Sequence, residues 1–308
     1  MSLRSIPGFN PFHQPHFLYE YLSRLDYPSI RGLCGTETKI ESLCRTDPKI
    51  KNLINKKRIQ HKVEYLLSQS DPQNVLYYAV IYGDVDTVDE LLKRGVDPNF
   101  SIIEHEGTLE LSLFKWALRS GHVSVIDRLL QDDRIDPTVD DNSAIRNAIV
   151  DGNLDIMKSL FRNPKVKKSF SVNEAISIAS YNGKIDVLND LLQDPIVDPG
   201  ANNNDAIKWA AVGGKINVVN RLLQDSRVDP TADNNYSIMW AASLPHSDVV
   251  RRLLQDIRIR QSLSPERLEY YKRQIGDSIL PPLINPFQSP RKPLPRSNRA
   301  LPPVPSRR

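Results

Sequence analysis

Apolar residues recur along the chain as adjacent pairs at a nearly constant spacing. The first members of successive pairs are 38 residues apart once and then 31 residues apart four times. The pairs are Leu91-Leu92, Leu129-Leu130, Leu160-Phe161, Leu191-Leu192, Leu222-Leu223 and Leu253-Leu254. Eight residues before five of these pairs stands a glycine, at Gly83, Gly121, Gly152, Gly183 and Gly214, and the sixth copy has Pro245 there. A fixed period of this length indicates internal structural repeats.

Each copy predicts two short helices followed by a turn. In the fifth copy the first helix is expected over residues 206–212, and it ends where a glycine can adopt a left-handed conformation. The second is expected over residues 217–224, where Val218, Leu222 and their neighbours form one apolar face. Val-Asp-Pro and a polar run then predict a turn. Neither helix is long enough to be stable alone, so each must bury its face against the next copy, as in an all-α solenoid.

The motif Ala-Ala-x-x-Gly-x-x-x-Val-Val-x-x-Leu-Leu, followed by Asp-Pro, resembles the ankyrin repeat over about residues 73–260. These copies are shorter than the usual repeat of about 33 residues, and they lack its Thr-Pro-Leu-His opening. They are similar to short variants found in giant DNA viruses and some protists. The resemblance implies an interaction module that binds one or more partner proteins on its concave face. It divides the chain into an N-terminal helical domain (1–72), six repeats (73–260), a C-terminal capping helix (261–280) and a disordered tail (281–308).

In ankyrin repeats, two positions in each copy are exposed on the side of the concave groove. They lie between the small residues and the glycine. These candidate partner-binding residues are Ile81, Tyr82, Arg119, Ser120, Val150, Asp151, Tyr181, Asn182, Val212 and Ser243. A second position in the first helix carries all three tryptophans of the chain, and its occupants are Tyr78, Trp116, Asn147, Ile178, Trp209 and Trp240. We expect this second position to pack between repeats. The alternative is an aromatic ladder that faces a partner.

Two copies depart from the pattern. Seven extra residues fall around 102–113, which predicts either a binding insertion or a neutral surface loop. In the third copy, residues 163–168 replace Asp-Pro with a lysine-rich segment, which predicts a cationic loop. The third copy is therefore expected to be the weakest joint of the array.

The N-terminal segment predicts several helices rather than a further repeat. Leu18, Leu22 and Leu25 indicate a first helix. Ile30, Leu33 and Cys34 indicate a second, Ile40, Leu43 and Cys44 a third, and residues 50–67 another. This segment contains, in order, Leu-x-x-x-Leu, Tyr-Pro, Ile, Leu-Cys and Leu-Cys-x-x-Asp-Pro. The order of these motifs resembles a degenerate F-box. That resemblance implies a substrate adaptor which recruits the linker subunit of a cullin-type ubiquitin ligase. The alternative is a helical cap that covers the first repeat.

The C-terminal region combines one helix with a proline-rich tail. Ser264-Pro265-Glu266 is a helix-start signal. Residues 281–308 contain nine prolines, six basic residues and no acid, which predicts an extended, disordered tail. Arg299, Pro302 and Pro305 fit a ligand of Src-homology-3 (SH3) domains, and Arg307 completes the reversed form of that motif. A solubility tail is the alternative.

Charge and chemistry narrow the function classes. The formal net charge is +4, and because the tail holds six basic residues and no acid, residues 1–280 carry −2. We therefore do not expect the folded part to bind nucleic acid. With only two cysteines, Cys34 and Cys44, the sequence excludes a disulfide framework and favours a reducing compartment. We found no phosphate-binding, catalytic or metal motif, so we predict a non-enzymatic protein with no cofactor, no metal site and no membrane span. We expect a cytoplasmic monomer, in a host cytoplasm if the chain is viral, with the nucleus as an open alternative.

Overall fold

The computed structural model describes residues 22–35, 38–103, 110–276 and 283. These residues form an all-α fold, apart from one short hairpin. Three helices come first: α1 (Tyr27–Cys34), α2 (Thr38–Thr46) and α3 (Pro48–Gln69). The repeats follow as helix pairs, and the first three are α4 (Pro72–Ile81) with α5 (Val85–Lys93), α6 (Leu113–Ser120) with α7 (Val123–Leu129), and α8 (Val139–Asp151) with α9 (Leu154–Arg162).

The short helix α10 (Pro164–Ser169) separates the third pair from the last three. These are α11 (Val172–Asn182) with α12 (Ile185–Leu191), α13 (Ala201–Val212) with α14 (Ile216–Leu223), and α15 (Ala232–Ser243) with α16 (Ser247–Leu253). Two helices follow them, α17 (Ile257–Ser262) and α18 (Pro265–Gln274). The predicted N-cap of α18 is confirmed, because Ser264 Oγ accepts a hydrogen bond from the Arg267 N–H.

The chain forms two compact units. Unit 1 comprises Met1–Ala148 and Asn153–Phe170, and unit 2 comprises Ile149–Gly152 and Ser171–Arg308. The proposed division at residues 72, 260 and 280 stays a prediction.

Unit 1 begins with the helical cluster that the apolar spacing predicted. Leu22, Ile30, Cys44, Ile50 and Leu53 are buried together, and α1, α2 and the start of α3 supply four of the five. The C-terminal half of α3 contacts the first repeat instead. Lys62 forms an ion pair with Asp84 of that repeat, and Val63 is fully buried. One helix therefore joins the N-terminal cluster to the first repeat. The first predicted helix, which would begin at Leu18, lies largely outside the described residues.

The repeat helices follow the sequence prediction closely. The repeat glycines all have positive φ, from 66° at Gly214 to 80° at Gly152, and each lies just after a first helix. At Gly183 the φ of 74° favours glycine, whereas the nearest neighbour of an added Cβ would be the flexible side chain of Lys215, which can move. On the second helix of the fifth repeat, Val218, Val219, Leu222 and Leu223 are all fully buried.

Three of the first helices, α8, α13 and α15, have an unusual backbone close to their N-terminal ends. Three consecutive residues adopt left-handed φ values in each case, between 53° and 66°. They are Asp140–Asp141–Asn142, Asn202–Asn203–Asn204 and Asp233–Asn234–Asn235. Asparagine and aspartate tolerate this conformation better than other residues with a Cβ, which accounts for the composition of these turns. The sequence predicted a turn here but not its handedness.

An Asp-x-Arg clamp links neighbouring repeats within each unit. Arg227 binds Asp225 through two hydrogen bonds and donates a third, of 2.8 Å, to the carbonyl of Val197 in the preceding repeat. Arg134 and Arg258 repeat this arrangement with Asp132 and Asp256. Their third bonds reach the carbonyls of Val96 and Val228.

The third repeat keeps this link in another form, which corrects one expectation. Residues 163–168 were expected to form a cationic loop, but they lie mainly in helix α10, capped by the Asn163 side chain on the Lys165 N–H. Lys165 Nζ donates to the carbonyl of Ile135 at 3.1 Å, so a lysine takes the place of the clamp arginine. The side chains of Phe161 and Phe170 pack with ring centroids 6.1 Å apart. That the third repeat is the weakest joint stays a prediction.

The extra residues between the first two repeats form a hairpin rather than a plain loop. Strands β1 (Ser101–Ile103) and β2 (Glu110–Ser112) pair in antiparallel fashion, with Ser101 opposite Ser112. Residues 104–109 lie outside the described part of the chain.

The exclusion of a disulfide is wrong. Cys34 and Cys44 are bonded to each other, with their Cα atoms 6.1 Å apart. Helices α1 and α2 pack against each other and place both cysteines at the same cluster, which sequence spacing alone did not show. The expectation of a reducing compartment loses the support that it took from unpaired cysteines.

Candidate protein-binding surface

Both units expose large apolar side chains on the first helices of their repeats. In unit 1 these are Tyr78 and Tyr82, which are 54% and 76% exposed. Their rings are stacked, with centroids 6.2 Å apart and planes 17° apart. We call them the tyrosine patch. Exposed, rigid aromatic side chains of this kind are typical anchors of protein interfaces.

A cavity of about 500 Å³ lies beside the tyrosine patch. Leu66 and Gln69 of α3 form one wall, and Val75 and Ala79 of α4 form another. The Lys62–Asp84 ion pair closes part of its rim. Burial alone would raise the pKa of Asp84, but hydrogen bonds from Lys62 and Thr87 outweigh it and hold the pKa below its usual value. The cavity is therefore an apolar recess with a charged edge.

In unit 2 the exposed side chains form what we call the aromatic face. It consists of Tyr181 on α11, Trp209 on α13, and Met239 and Trp240 on α15. Trp209 and Trp240 occupy equivalent positions one repeat apart and are 41% and 39% exposed. The rings of Tyr181 and Trp209 meet edge to face, with centroids 6.0 Å apart. The face thus spans three successive first helices.

Charged side chains border the aromatic face on the side of the helix N-termini. Lys208 lies between Asp205 and Asp233, with its Nζ 3.0 Å and 2.6 Å from their carboxylates. The same ammonium lies 5.6 Å from the ring centroid of Tyr236. Burial alone would lower the pKa of Lys208, but the hydrogen bonds to Asp233 and Asp205 outweigh it and raise the pKa. Glu174 occupies the position of Asp205 one repeat earlier.

The predicted binding residues are all accessible at least in part. Tyr82, Arg119, Val150, Asp151, Tyr181 and Ser243 are exposed, and Ile81, Ser120, Asn182 and Val212 are half-buried. Several of the polar members are occupied within their own helix. The Ser120 hydroxyl donates to the Trp116 carbonyl, and the Asn182 amide donates to the Ile178 carbonyl. That these residues bind a partner stays a prediction.

The tryptophan position departs from its expected role as a contact between repeats. Trp116 fits that expectation, since it is only 9% exposed. Tyr78, Trp209 and Trp240 contradict it, because each leaves more than a third of its surface accessible. Trp116 has two close neighbours of its own, since its ring meets Tyr77 edge to face with centroids 5.7 Å apart and the Arg119 guanidinium lies 5.3 Å from its centroid. Sequence reasoning also missed Met239, Tyr236 and Lys208. Tyr236 lies four residues before Trp240 and Lys208 three residues after Asp205, on the same helices, and Met239 directly precedes Trp240.

The histidine that follows a repeat glycine is structural, as predicted for His122. Its Nε2 lies 2.9 Å from the carbonyl oxygen of Ile81 in the preceding repeat. His246 makes the equivalent contact with the Val212 carbonyl at 3.1 Å. In the part of the chain that the structure describes, no three His, Cys, Asp or Glu side chains are grouped closely enough to hold a metal ion.

Two further predictions concern a membrane span and the C-terminal tail. No helix within residues 22–35, 38–103 and 110–276 is both long and apolar enough to cross a membrane. The tail residues Arg299, Pro302, Pro305 and Arg307 lie outside the described residues.

Comparison with known families supports the nature of the repeats. Residues 176–262 match the family described as ankyrin repeats (3 copies), and residues 73–101 match the family described as ankyrin repeat. A search of curated proteins finds no similar sequence. The two matches lie in different units, and ankyrin repeats suggest a protein–protein interaction module.

Proposed function

We propose that this protein is a non-enzymatic binding module that captures a partner protein on the first helices of its ankyrin repeats. The observation that carries this proposal is the aromatic face of unit 2. Globular proteins bury most of their tryptophan surface, so two neighbouring copies with the same exposed tryptophan are better explained by a partner than by packing. The tyrosine patch extends the same chemistry to unit 1.

The proposed contact surface matches the composition of known interface cores. Tryptophan, tyrosine and methionine are enriched at such cores, while lysine and acids are commoner at the rim. Here Trp209, Met239 and Trp240 form the centre, and Asp205 and Asp233 lie along one border. A partner segment with apolar side chains flanked by basic residues would fit this arrangement.

The test uses the full chain as bait and compares three forms of it. The face variant carries Trp209→Ser and Trp240→Ser. The control variant carries Asn217→Ser and Asp186→Ser, which alter exposed positions on second helices. We expect purified partners to bind the wild type and the control variant equally. We expect them to lose binding to the face variant. Equal binding by all three forms would reject the aromatic face as the site.

A second candidate is an adaptor for a cullin-type ubiquitin ligase. The observation that favours it is the N-terminal cluster, since Ile30, Cys44 and Ile50 form a core around α1, α2 and the start of α3. Only the later part of α3, around Lys62 and Val63, is needed to cover the first repeat. The N-terminal cluster is therefore larger than a cap over the first repeat needs to be.

The adaptor proposal is tested by titrating the full chain with the purified linker subunit of a cullin ligase. Saturable binding that does not change in the Trp209→Ser, Trp240→Ser variant would support it. Absence of heat or signal change at any concentration would leave the N-terminal cluster as a cap alone. The SH3-ligand role of the tail, and a signalling scaffold built on it, stay separate predictions.

A further inference from the structure

The aromatic face of unit 2 has a regular geometry. Successive first helices α11, α13 and α15 pack side by side, and helices in direct contact lie about 8–10 Å apart. Trp209 and Trp240 hold the same position on two of them, so an apolar feature repeats across the face at about that interval. A ligand that presents apolar groups at the same interval would contact both rings at once.

The chain itself carries a segment with this repeat distance. A polyproline helix has three residues per turn and rises about 3.1 Å per residue, so residues three apart lie on one edge about 9 Å from each other. Pro302 and Pro305 have this spacing, and Arg299 lies one further turn before them. In a polyproline helix, Pro302 and Pro305 would therefore be separated by about the distance between two packed helices.

The charges of the two surfaces are complementary. The tail, residues 281–308, holds six basic residues and no acid. The border of the aromatic face carries Asp205 and Asp233, which share the single ammonium of Lys208, and Glu174 at the equivalent position one repeat earlier. Aromatic grooves that bind proline-rich segments commonly pair such prolines with rings and the flanking arginine with acids.

We propose that residues 290–308 dock in cis on the aromatic face of unit 2 and cover it until a partner protein displaces them. This inference rests on the proposed function, because it makes the same face the site of regulation. The prolines at 302 and 305 pack on Trp240 and Trp209, in either direction, and Arg299 or Arg307 pairs with the acidic border. The docked tail then competes directly with the partner.

The connecting chain is long enough for this contact. Gly276 ends the continuous described part of unit 2, and 25 residues lie between it and Pro302. At about 3.1 Å per residue that segment spans up to roughly 80 Å, several times the width of three packed helices. A tethered ligand acts at an effective concentration of about a millimolar, so even weak docking would occupy the face.

Tryptophan fluorescence offers a direct readout, because the chain has only three tryptophans. Trp209 and Trp240 are accessible in the described structure, whereas Trp116 is buried. A docked tail would protect the first two from a soluble quencher such as acrylamide and leave Trp116 unaffected. The measurement needs no partner protein, so its outcome is independent of the test of the proposed function.

The experiment compares full-length wild type with the variant Pro302→Ala, Pro305→Ala. The matched control is Pro281→Ala, Pro286→Ala, which changes the same number of prolines outside the proposed contact. Release of the tail should raise the quenching constant of the first variant above that of the wild type, because both exposed tryptophans become accessible. The control should match the wild type. Equal quenching of all three proteins would overturn the proposal.

Two further arms identify the occupant. Adding a synthetic peptide of residues 291–308 to the Pro302→Ala, Pro305→Ala variant should restore the protection, and a peptide with both alanines should not. Protection in the wild type should persist on dilution, because the contact is intramolecular. Protection that fades on dilution would show docking between two copies and would overturn the cis arrangement. If the tail proves not to protect the face, but partner binding still depends on Trp209 and Trp240, this inference alone fails.

Discussion

The side chain of Asn204 accepts a hydrogen bond of 2.7 Å from the backbone N–H of Asp229, the turn residue of the next repeat. Asn204 is buried and has a left-handed backbone, with φ 63°. Asn142 and Asn235 occupy the same place in their turns, and each shares a hydrogen bond with a serine about one repeat further on, Ser169 and Ser262. The third residue of each left-handed turn therefore has two roles. It adopts the left-handed backbone, and its side chain links the turn to a residue about one repeat further on.

Replacing Asn204 tests this double role. In Asn204→Ala the Asp229 N–H loses its buried acceptor, which costs about 1–3 kcal/mol. The left-handed backbone adds a further cost of roughly 1–2 kcal/mol for a residue that lacks a local hydrogen bond. Asn202→Ala is the control, because Asn202 shares the left-handed conformation, with φ 53°, but is exposed. Urea unfolding should show the larger loss for Asn204→Ala, and equal losses would refute the connecting role.

The second prediction concerns the apolar face of the second helices. Leu222 is fully buried, so Leu222→Ala should lower the free energy of unfolding by about 2–5 kcal/mol. Asn217→Ala, on the exposed side of the same helix, should change it by less than about 0.5 kcal/mol. Chemical denaturation of the full chain measures both. A loss below about 1 kcal/mol at Leu222 would mean that the buried face has been assigned wrongly.

The third prediction follows from the Asp225–Arg227 clamp. Hydrogen bonds from Arg227 hold the pKa of Asp225 below its usual value of 3.8. A carboxyl with a depressed pKa in the folded state contributes stability that is present above 3.8 and is lost as the pH falls through the depressed value. Arg227→Ala should therefore be less stable than wild type at neutral pH, and the part of that difference due to the ion pair should disappear in acid.

Unfolding curves at neutral pH and at pH values well below 3.8 measure this change. Ser226→Ala, next to the clamp and exposed, should run parallel to wild type over the whole range. A constant difference between wild type and Arg227→Ala at every pH would contradict the ionic part of the clamp. The Val197 carbonyl bond of Arg227 should leave a residual difference that does not depend on pH.

The fourth prediction concerns the bond between Cys34 and Cys44. The two residues are 10 apart in sequence, and closing a loop of that size stabilises a fold by about 2–3 kcal/mol in the chain-entropy estimate. Reduction should therefore lower the stability of the N-terminal cluster, and Cys34→Ser with Cys44→Ser should behave like the reduced protein. Hydrogen exchange of α1 and α2 with and without reductant checks this. Unchanged exchange would show that the bond does not stabilise the cluster.

Sequence reasoning found the repeats because burial imposes a strict register. Leu222 and its counterparts must face the neighbouring repeat in every copy, so the pattern survives wherever a copy is intact. The helices of the N-terminal cluster were also predictable, because Ile30, Cys44 and Ile50 follow helical spacing. These features depend on local periodicity, which a single sequence displays.

What sequence reasoning missed depends on contacts between residues far apart in the chain. The exposure of Trp209 and Trp240 depends on how neighbouring repeats pack, and the pairing of Cys34 with Cys44 on the packing of two helices. The role of Lys165 as a replacement for the clamp arginine depends on its reach to the Ile135 carbonyl. The spacing of residues within one copy does not encode any of these contacts.

The most direct test of the central claim measures which proteins bind the exposed rings of unit 2. Full-length wild type, Trp209→Ser with Trp240→Ser, and Asn217→Ser with Asp186→Ser are each used to purify partners, and every candidate is then titrated as a pure protein. Removing two central aromatic anchors should weaken the true partner by at least about 2 kcal/mol, or roughly thirtyfold, while the control binds like wild type. A partner that binds all three forms with equal affinity would contradict the account.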